Sequence, residues 1–185
     1  GVYQNVAGRS FLDYMDGNLE GHIGELPTMD DWTDHMTTAF PEVRLKHFIE
    51  MRGADGGPWR GLCALPALWV GLLYDSTALD AAWDLCKDWT DAERTALRDD
   101  APRLGLKTPF RSETIRDIAL RVLEVSRAGL ANRRKLDKSG KDEAMFLDVL
   151  DDIATSGVTA ADAMLEAYQD RWNGDIDKLY GEYSY

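Results

Sequence analysis

Between Glu42 and Arg52 the chain alternates at period 2. Glu42, Arg44, Lys46, Phe48, Glu50 and Arg52 share one face of an extended segment, and Val43, Leu45, His47, Ile49 and Met51 share the other. The pattern predicts one strand over 42–52 with a polar front and an apolar back. Gly53, Gly56 and Gly57 follow at once, a loop over 53–57 in which backbone can approach a ligand closely. Around Tyr3 to Val6 lies the one other extended segment, read as half of a strand whose beginning is missing.

Elsewhere the apolar positions recur at helical spacing. After Pro27, Thr28 stands as an N-cap with Asp31 three residues on, and Trp32, Met36 and Ala39 line one face, predicting a short helix that Pro41 ends. Trp59, Leu62, Cys63, Pro66, Trp69, Val70 and Leu73 predict a buried helix, kinked or restarted at Pro66. Leu79, Ala82, Trp83 and Cys86 form the next stripe. Thr90 and Glu93 then open a charged helix to Asp100, closed by Pro102. A loop over 104–111 precedes Ser112, read as the cap of a long helix with Ile115, Ile118, Ala119, Val122, Leu123 and Leu130 inward. After a solvated turn from Lys135, Phe146, Val149, Leu150 and Ile153 mark a helix ended by Gly157. Thr159 with Asp162 opens the last one, carrying Leu165, Tyr168 and Trp172. The fold class is α+β, mostly helical, with a few antiparallel strands in the first third. Residues 1–58 form a sheet-completing segment and 59–185 a helical region, together one domain.

At 185 residues and 44% hydrophobic content the chain can bury one sizeable core, and a second independent domain would be cramped. A net charge of -12 argues against nucleic-acid backbones and anionic membranes as partners, because affinity for either comes from Lys and Arg. Any nucleotide must arrive with a cation. Cys63 and Cys86, the two cysteines, both lie in apolar helical patterns, so buried reduced thiols and a cytoplasmic setting are expected. There is no uncharged apolar run of spanning length, and a soluble protein is expected.

Glu50 and Arg52 stand two apart at the end of the strand and feed into the glycine loop. One side chain suits a divalent cation and the other an anion. A solvated strand face shows the same alternation, and the local sequence alone favours that plainer reading. Arg44 and Lys46 share the face further from the loop, as candidates for carboxylate or phosphate contact. Lys107 and Arg111 flank Thr108 and Pro109 in a loop suited to anion binding, and Trp59 beside the glycine loop is a candidate substrate contact. His22, His35 and His47 have no zinc-site spacing and read as surface or packing residues. Cys63 reads as a small buried apolar residue, and Asp148, Asp151 and Asp152 as a solvated helix face.

The segment FPEVRLKHFIEMRGADGGPWRGLCALPALWVGLLYD from Phe40 resembles the signature of the plant and proteobacterial type of glutamate-cysteine ligase. So do SFLDYMDGNL from Ser10, GELPTMDDWTDHMTTAFPEVRLK from Gly24, GLKTPFR from Gly105 and the terminal YGEYSY from Tyr180. The resemblance runs through nearly the whole chain. His47 and Phe48 depart from it, since the family usually has a basic residue and a tyrosine there. The plant regulatory cysteine pair would fall at Val6 and Gly21, which excludes plant-style switching through that pair.

The resemblance implies a glutamine-synthetase-like fold, of which this chain is the C-terminal part, with the N-terminal portion of the same enzyme as its partner. It implies ATP-dependent joining of the γ-carboxylate of L-glutamate to L-cysteine through γ-glutamyl phosphate, the first step of glutathione synthesis, with Mg2+ as cofactor. A carboxylate is a poor electrophile, so ATP must first phosphorylate it, and phosphoryl transfer asks for positioning and charge neutralisation. On that footing Glu50 is carried over as a magnesium ligand and Arg52 as the catalytic anion clamp. A sister ligase with another amine acceptor and a non-catalytic helical interaction module are the alternatives. The chain alone is expected to be inactive.

Overall fold

In the computed structural model, which describes residues 4–38, 40–45 and 47–184, two compact units divide between Ala54 and Asp55, inside the glycine loop. Each is described by itself.

In the first unit Ser10 accepts from the Leu12 N–H and opens α1, Phe11–Met15. Thr28 and Asp31 form the expected capping box of α2, Met29–Thr37, in which Asp31 accepts the Thr28 N–H at 2.7 Å. The Ala39 position predicted for that helix lies outside the described residues, as do Tyr3 and Lys46. Residues 4–6 have no regular structure.

The single strand expected over 42–52 is a hairpin instead. Strands β1, Val43–Leu45, and β2, Ile49–Met51, pair antiparallel with Val43 opposite Met51, Arg44 opposite Glu50 and Leu45 opposite Ile49. Reversing the chain lets the segment satisfy its own backbone hydrogen bonds, which one extended strand cannot do. The Arg52 N–H donates to the Glu42 carbonyl at 2.8 Å, prolonging the ladder.

The second unit begins with α3, Trp59–Leu73, which runs unbroken through Pro66 although that residue has no N–H for the Leu62 carbonyl. Ala64, Ala67, Gly71 and Leu72 are buried along it, so packing holds the turn that proline weakens. Asp75 caps α4, Ser76–Cys86, by accepting the Ala78 N–H at 2.9 Å. Ala78 is the buried residue of this helix, and the predicted stripe is largely outward, with Leu79 and Trp83 exposed. Thr90 and Glu93 form the expected box of α5, Asp91–Leu104, which passes through Pro102 and stops at Gly105, φ +54°. Proline near a helix end removes one of few remaining bonds, whereas a positive φ reverses the chain.

The expected loop over 104–111 is a 3-10 turn, Gly105–Lys107, followed by a hairpin of β3, Pro109–Phe110, and β4, Glu113–Thr114. Ser112 therefore sits in a hairpin turn. The cap of α6, Ile115–Arg133, is Thr114, boxed with Asp117 at 2.9 Å and 2.7 Å. A 3-10 segment, Glu143–Leu147, leads into α7, Asp148–Ser156, ended by Gly157 at φ +72° as expected. Thr159 and Asp162 box α8, Ala160–Gln169, and α9, Asp177–Glu182, follows. Trp172 lies beyond α8, buried, with its ring edge-on to Tyr183 and its Nε1–H donated to Glu182 at 2.6 Å.

The core of this unit is the contact of α3 and α6, closed by the 3-10 segment and α7 through Ala67, Leu123, Leu130, Ala144, Leu147 and Ala154. Among the described residues no single helix is long and apolar enough to cross a membrane. The described chain is α+β, mostly helical with two small antiparallel sheets.

Candidate functional site

In an antiparallel pair, residues directly opposite each other point to the same side. The register of β1 and β2 therefore puts Arg44 and Glu50 on one face, and Val43, Leu45, Ile49 and Met51 on the other. The polar front survives the chain reversal. Its charges now meet: Arg44 Nε donates to Glu50 Oε2 at 2.7 Å, and Arg52 Nη1 lies 3.9 Å from the same oxygen. Two guanidiniums thus converge on one carboxylate. The Arg52 side chain is 26% exposed, the most covered of the three, and its guanidinium carbon lies 5.5 Å from the centroid of the Phe40 ring. Lys46, expected on this face, is outside the described residues, and His47 and Phe48 sit exposed in the connection between the strands.

The glycine loop follows β2 without regular structure. Gly56 and Gly57 have no atom within 4 Å of where a Cβ would stand, and none of Gly53, Gly56 and Gly57 has a positive φ. Neither crowding nor backbone conformation within the described chain asks for glycine at 56 or 57.

The first unit also holds a cleft of about 500 Å³ whose lining includes Phe11, Tyr14, His22, Glu25, Asp31 and His35. His35 stacks on Phe11 with ring centroids 4.2 Å apart, and His22 Nδ1 lies 2.9 Å from Glu25. Both fit the packing and surface roles expected for them. The Tyr14 hydroxyl is held above its usual pKa, mainly by desolvation and then by the charges of Asp31 and Glu25.

In the second unit, Trp59 opens α3 with its ring largely exposed, bordering a cleft of about 250 Å³ with Arg60, Cys63, Met145, Phe146, Asp148 and Val149. Lys107 ends the 3-10 turn, exposed, and its charge helps hold the Asp162 carboxyl below its usual range, after the Thr159 hydrogen bonds. Arg111 stands at φ +53° in its hairpin turn. Its Nε donates to Glu93 Oε1 at 2.7 Å, and its Nη2 donates to Glu93 Oε2 at 3.0 Å and to the Asp88 carbonyl at 2.9 Å. Glu93 is pulled down to about 2, first by Arg111 and then by the Thr90 backbone. Arg111 is thereby a strut between the hairpin and the start of α5. Thr108 and Phe110 of the same motif are buried, Thr108 bonded to the Gly105 carbonyl at 2.8 Å and Phe110 against the Trp89 ring at 4.7 Å. Thr108, Phe110 and Arg111 of GLKTPFR thus each support the local fold.

Among the described residues no three His, Cys, Asp or Glu side chains gather as a metal site. Magnesium, however, is commonly held by one or two carboxylates with phosphate oxygens and waters completing the shell. Glu50 fits that role as a single ligand and not as a site by itself. Cys63 and Cys86 are free thiols, both half-buried. Sequence patterning did not mark Phe40 or the Glu42 carbonyl, the two groups that brace Arg52. An aromatic residue whose helical region the following Pro41 disfavours was the available signal.

The profile described as "Glutamate-cysteine ligase family 2" matches residues 1–182. The chain is 49% identical over 183 residues to glutamate-cysteine ligase A, chloroplastic, of Oryza sativa subsp. indica, covering 99% of this chain and 36% of the relative. To the chloroplastic glutamate-cysteine ligase of Arabidopsis thaliana it is 48% identical over 183 residues, covering 99% of this chain and 34% of the relative. To that of Brassica juncea it is 47% identical over 185 residues, covering 100% of this chain and 35% of the relative. The chain spans about a third of the length of these curated relatives.

Proposed function

We propose, from the premise that the chain belongs to glutamate-cysteine ligase family 2, that its charged hairpin is one wall of an ATP-dependent ligase site joining L-glutamate to L-cysteine. The observation that carries this reading is the convergence of Arg44 and Arg52 on Glu50 at the mouth of the glycine loop. Activating a γ-carboxylate with ATP builds negative charge on transferring oxygens. A pair of planar, permanently charged guanidiniums meets that demand better than ammonium groups. Arg52 is the anion clamp and Arg44 its companion. Glu50 would hold a magnesium ion as a single carboxylate ligand, and such an ion would supply charge neutralisation to the transferring phosphoryl group.

The glutamine-synthetase-like fold belongs to this reading, with the hairpin completing a sheet whose other strands come from elsewhere in the enzyme. An isolated two-stranded hairpin is marginal in water, which supports such a completion. The 185-residue chain by itself does not ligate. Arg111 engages Glu93 and the Asp88 carbonyl through Nε and Nη2, so it stands with Lys46, Lys107 and Trp59 as a secondary candidate. The free thiols of Cys63 and Cys86 support a reducing setting such as the cytoplasm.

The test is turnover of the complete ligase carrying this chain. Glu50→Gln and Arg52→Lys should each lower γ-glutamylcysteine formation by about a hundredfold or more while the helical circular-dichroism signal stays. Glu50→Gln with normal turnover and unchanged magnesium dependence removes Glu50 from the site, and full activity of Arg52→Lys reduces Arg52 to bulk charge. Equal turnover with amines other than cysteine would point to a sister ligase, and synthesis by the 185-residue chain alone would overturn its dependence on the rest of the enzyme.

A further inference from the structure

Phe40 is 72% exposed, so burial gives its ring little reason to be where it is. The following Pro41 disfavours the helical region for its backbone. The ring lies 5.5 Å from the Arg52 guanidinium carbon, within the range in which a cation is attracted to an aromatic face. Arg52 otherwise has an oxygen of Glu50 at 3.9 Å, too long for a hydrogen bond, and its own backbone N–H on the Glu42 carbonyl. The Phe40 ring thus stands at cation–π range from the guanidinium, while the Glu50 oxygen is too far to fix its orientation by a hydrogen bond.

We propose that Phe40 is a positioning residue for the anion clamp, its ring holding the Arg52 guanidinium in one orientation ready for a carboxylate or phosphoryl group. This rests on the clamp reading above. Orienting the fork beforehand removes part of the ordering cost from the binding step. The aromatic face does the work, so another aromatic residue replaces Phe40 and an aliphatic one does not.

The experiment follows the arginine Nε–Hε signals of the complete ligase carrying this chain by NMR during titration with inorganic phosphate. In the wild-type ligase the Arg52 signal carries a ring-current shift and moves as phosphate binds. Phe40→Leu removes the ring-current shift and weakens phosphate binding at Arg52 about two- to fivefold. Phe40→Trp and Phe40→Tyr restore both, and Phe48→Leu, in the hairpin connection, changes neither. Phosphate affinity unchanged in Phe40→Leu overturns the positioning role while leaving the clamp standing. Failure of phosphate to move Arg52 in the wild-type ligase overturns the clamp and the proposal with it.

Discussion

The crossing of α3 and α6 depends on two glycines, and an added methyl group at either tests whether that contact organises the second unit. A Cβ on Gly129 would overlap the Gly71 carbonyl oxygen and come within 2.9 Å of the Ala78 Cβ, and a Cβ on Gly71 would overlap the carbonyl and hydroxyl oxygens of Ser126. The obstacles are mostly backbone, which cannot swing aside as a flexible side chain does. Ser126 is itself fixed, fully buried with its hydroxyl donated to the Leu68 carbonyl at 2.9 Å. Overpacking typically costs about 1–3 kcal/mol, and rigid obstacles place Gly129→Ala at the upper end. Alanine's better helix propensity returns about 1 kcal/mol. The net loss is about 2 kcal/mol, which lowers the melting temperature of a chain of this size by about 4–8 °C. Gly61→Ala is the internal control: it sits in α3, with no atom within 4 Å of its Cβ position and no positive φ. It should leave stability level or raise it by up to about 1 kcal/mol. Thermal unfolding followed by helical circular dichroism reads both, and a Gly129→Ala chain that melts at or above wild type refutes the close crossing.

Arg111 and Glu93 set a pH dependence. Glu93 titrates at about 2 in the folded chain against an ordinary 4.5, so the link stabilises fully above about pH 4.5 and is lost as pH falls toward 2. Glu93→Gln should flatten the melting-temperature profile across that window, and an unchanged profile would show that the strut carries no linkage. Trp172→Ala should cost about 3–5 kcal/mol by emptying a buried site, whereas Trp172→Phe keeps most of the packing and loses the bond to the Glu182 carboxylate, about 1.5–3 kcal/mol; a Trp172→Phe chain as stable as wild type would deny that hydrogen bond a role. Cys63 and Cys86 should both take up iodoacetamide in the denatured chain without prior reduction, and a mass showing neither alkylated would reveal a disulfide.

Helix starts were the most legible part of the sequence, because a capping box is a local device with a fixed spacing. Thr28 with Asp31, Thr90 with Glu93 and Thr159 with Asp162 all cap as read. Ser112 misled only because Thr114 and Asp117, with the same spacing two residues on, offered the box that a hairpin turn leaves usable. Helix ends were harder. Proline was expected to kink or restart one helix at position 66 and to close another at position 102; the first is continuous through Pro66, and a glycine ended the second. Burial direction was least legible where both sides of a helix are apolar, as with Leu79 and Trp83 on α4. The role of GLKTPFR was hidden for a different reason: Arg111 looks the same in sequence whether its partner is a ligand or Glu93, 18 residues earlier.

The charged face was read correctly from a secondary structure that was wrong, and the reason bears on how far such patterns can be used. The connection between β1 and β2 is three residues long, 46–48, and contains no Gly, Pro, Asn or Asp to announce a turn. Opposite residues in this register differ by an even number, so the period of 2 continues across the reversal as if the strand had never turned. Alternation alone cannot separate the two structures, because both put Arg44, Glu50 and Arg52 on one side. Distance separates them. In a continuous strand, Arg44 and Glu50 would stand about 20 Å apart, six residues at roughly 3.3 Å each. In the hairpin they share a hydrogen bond of 2.7 Å. The reversal therefore turns a row of like-facing charges into a cluster, and it moves Arg44 from the far end of the face to the centre of the candidate site. What periodicity established was membership of a face; it took the turn to bring the members within reach of one anion.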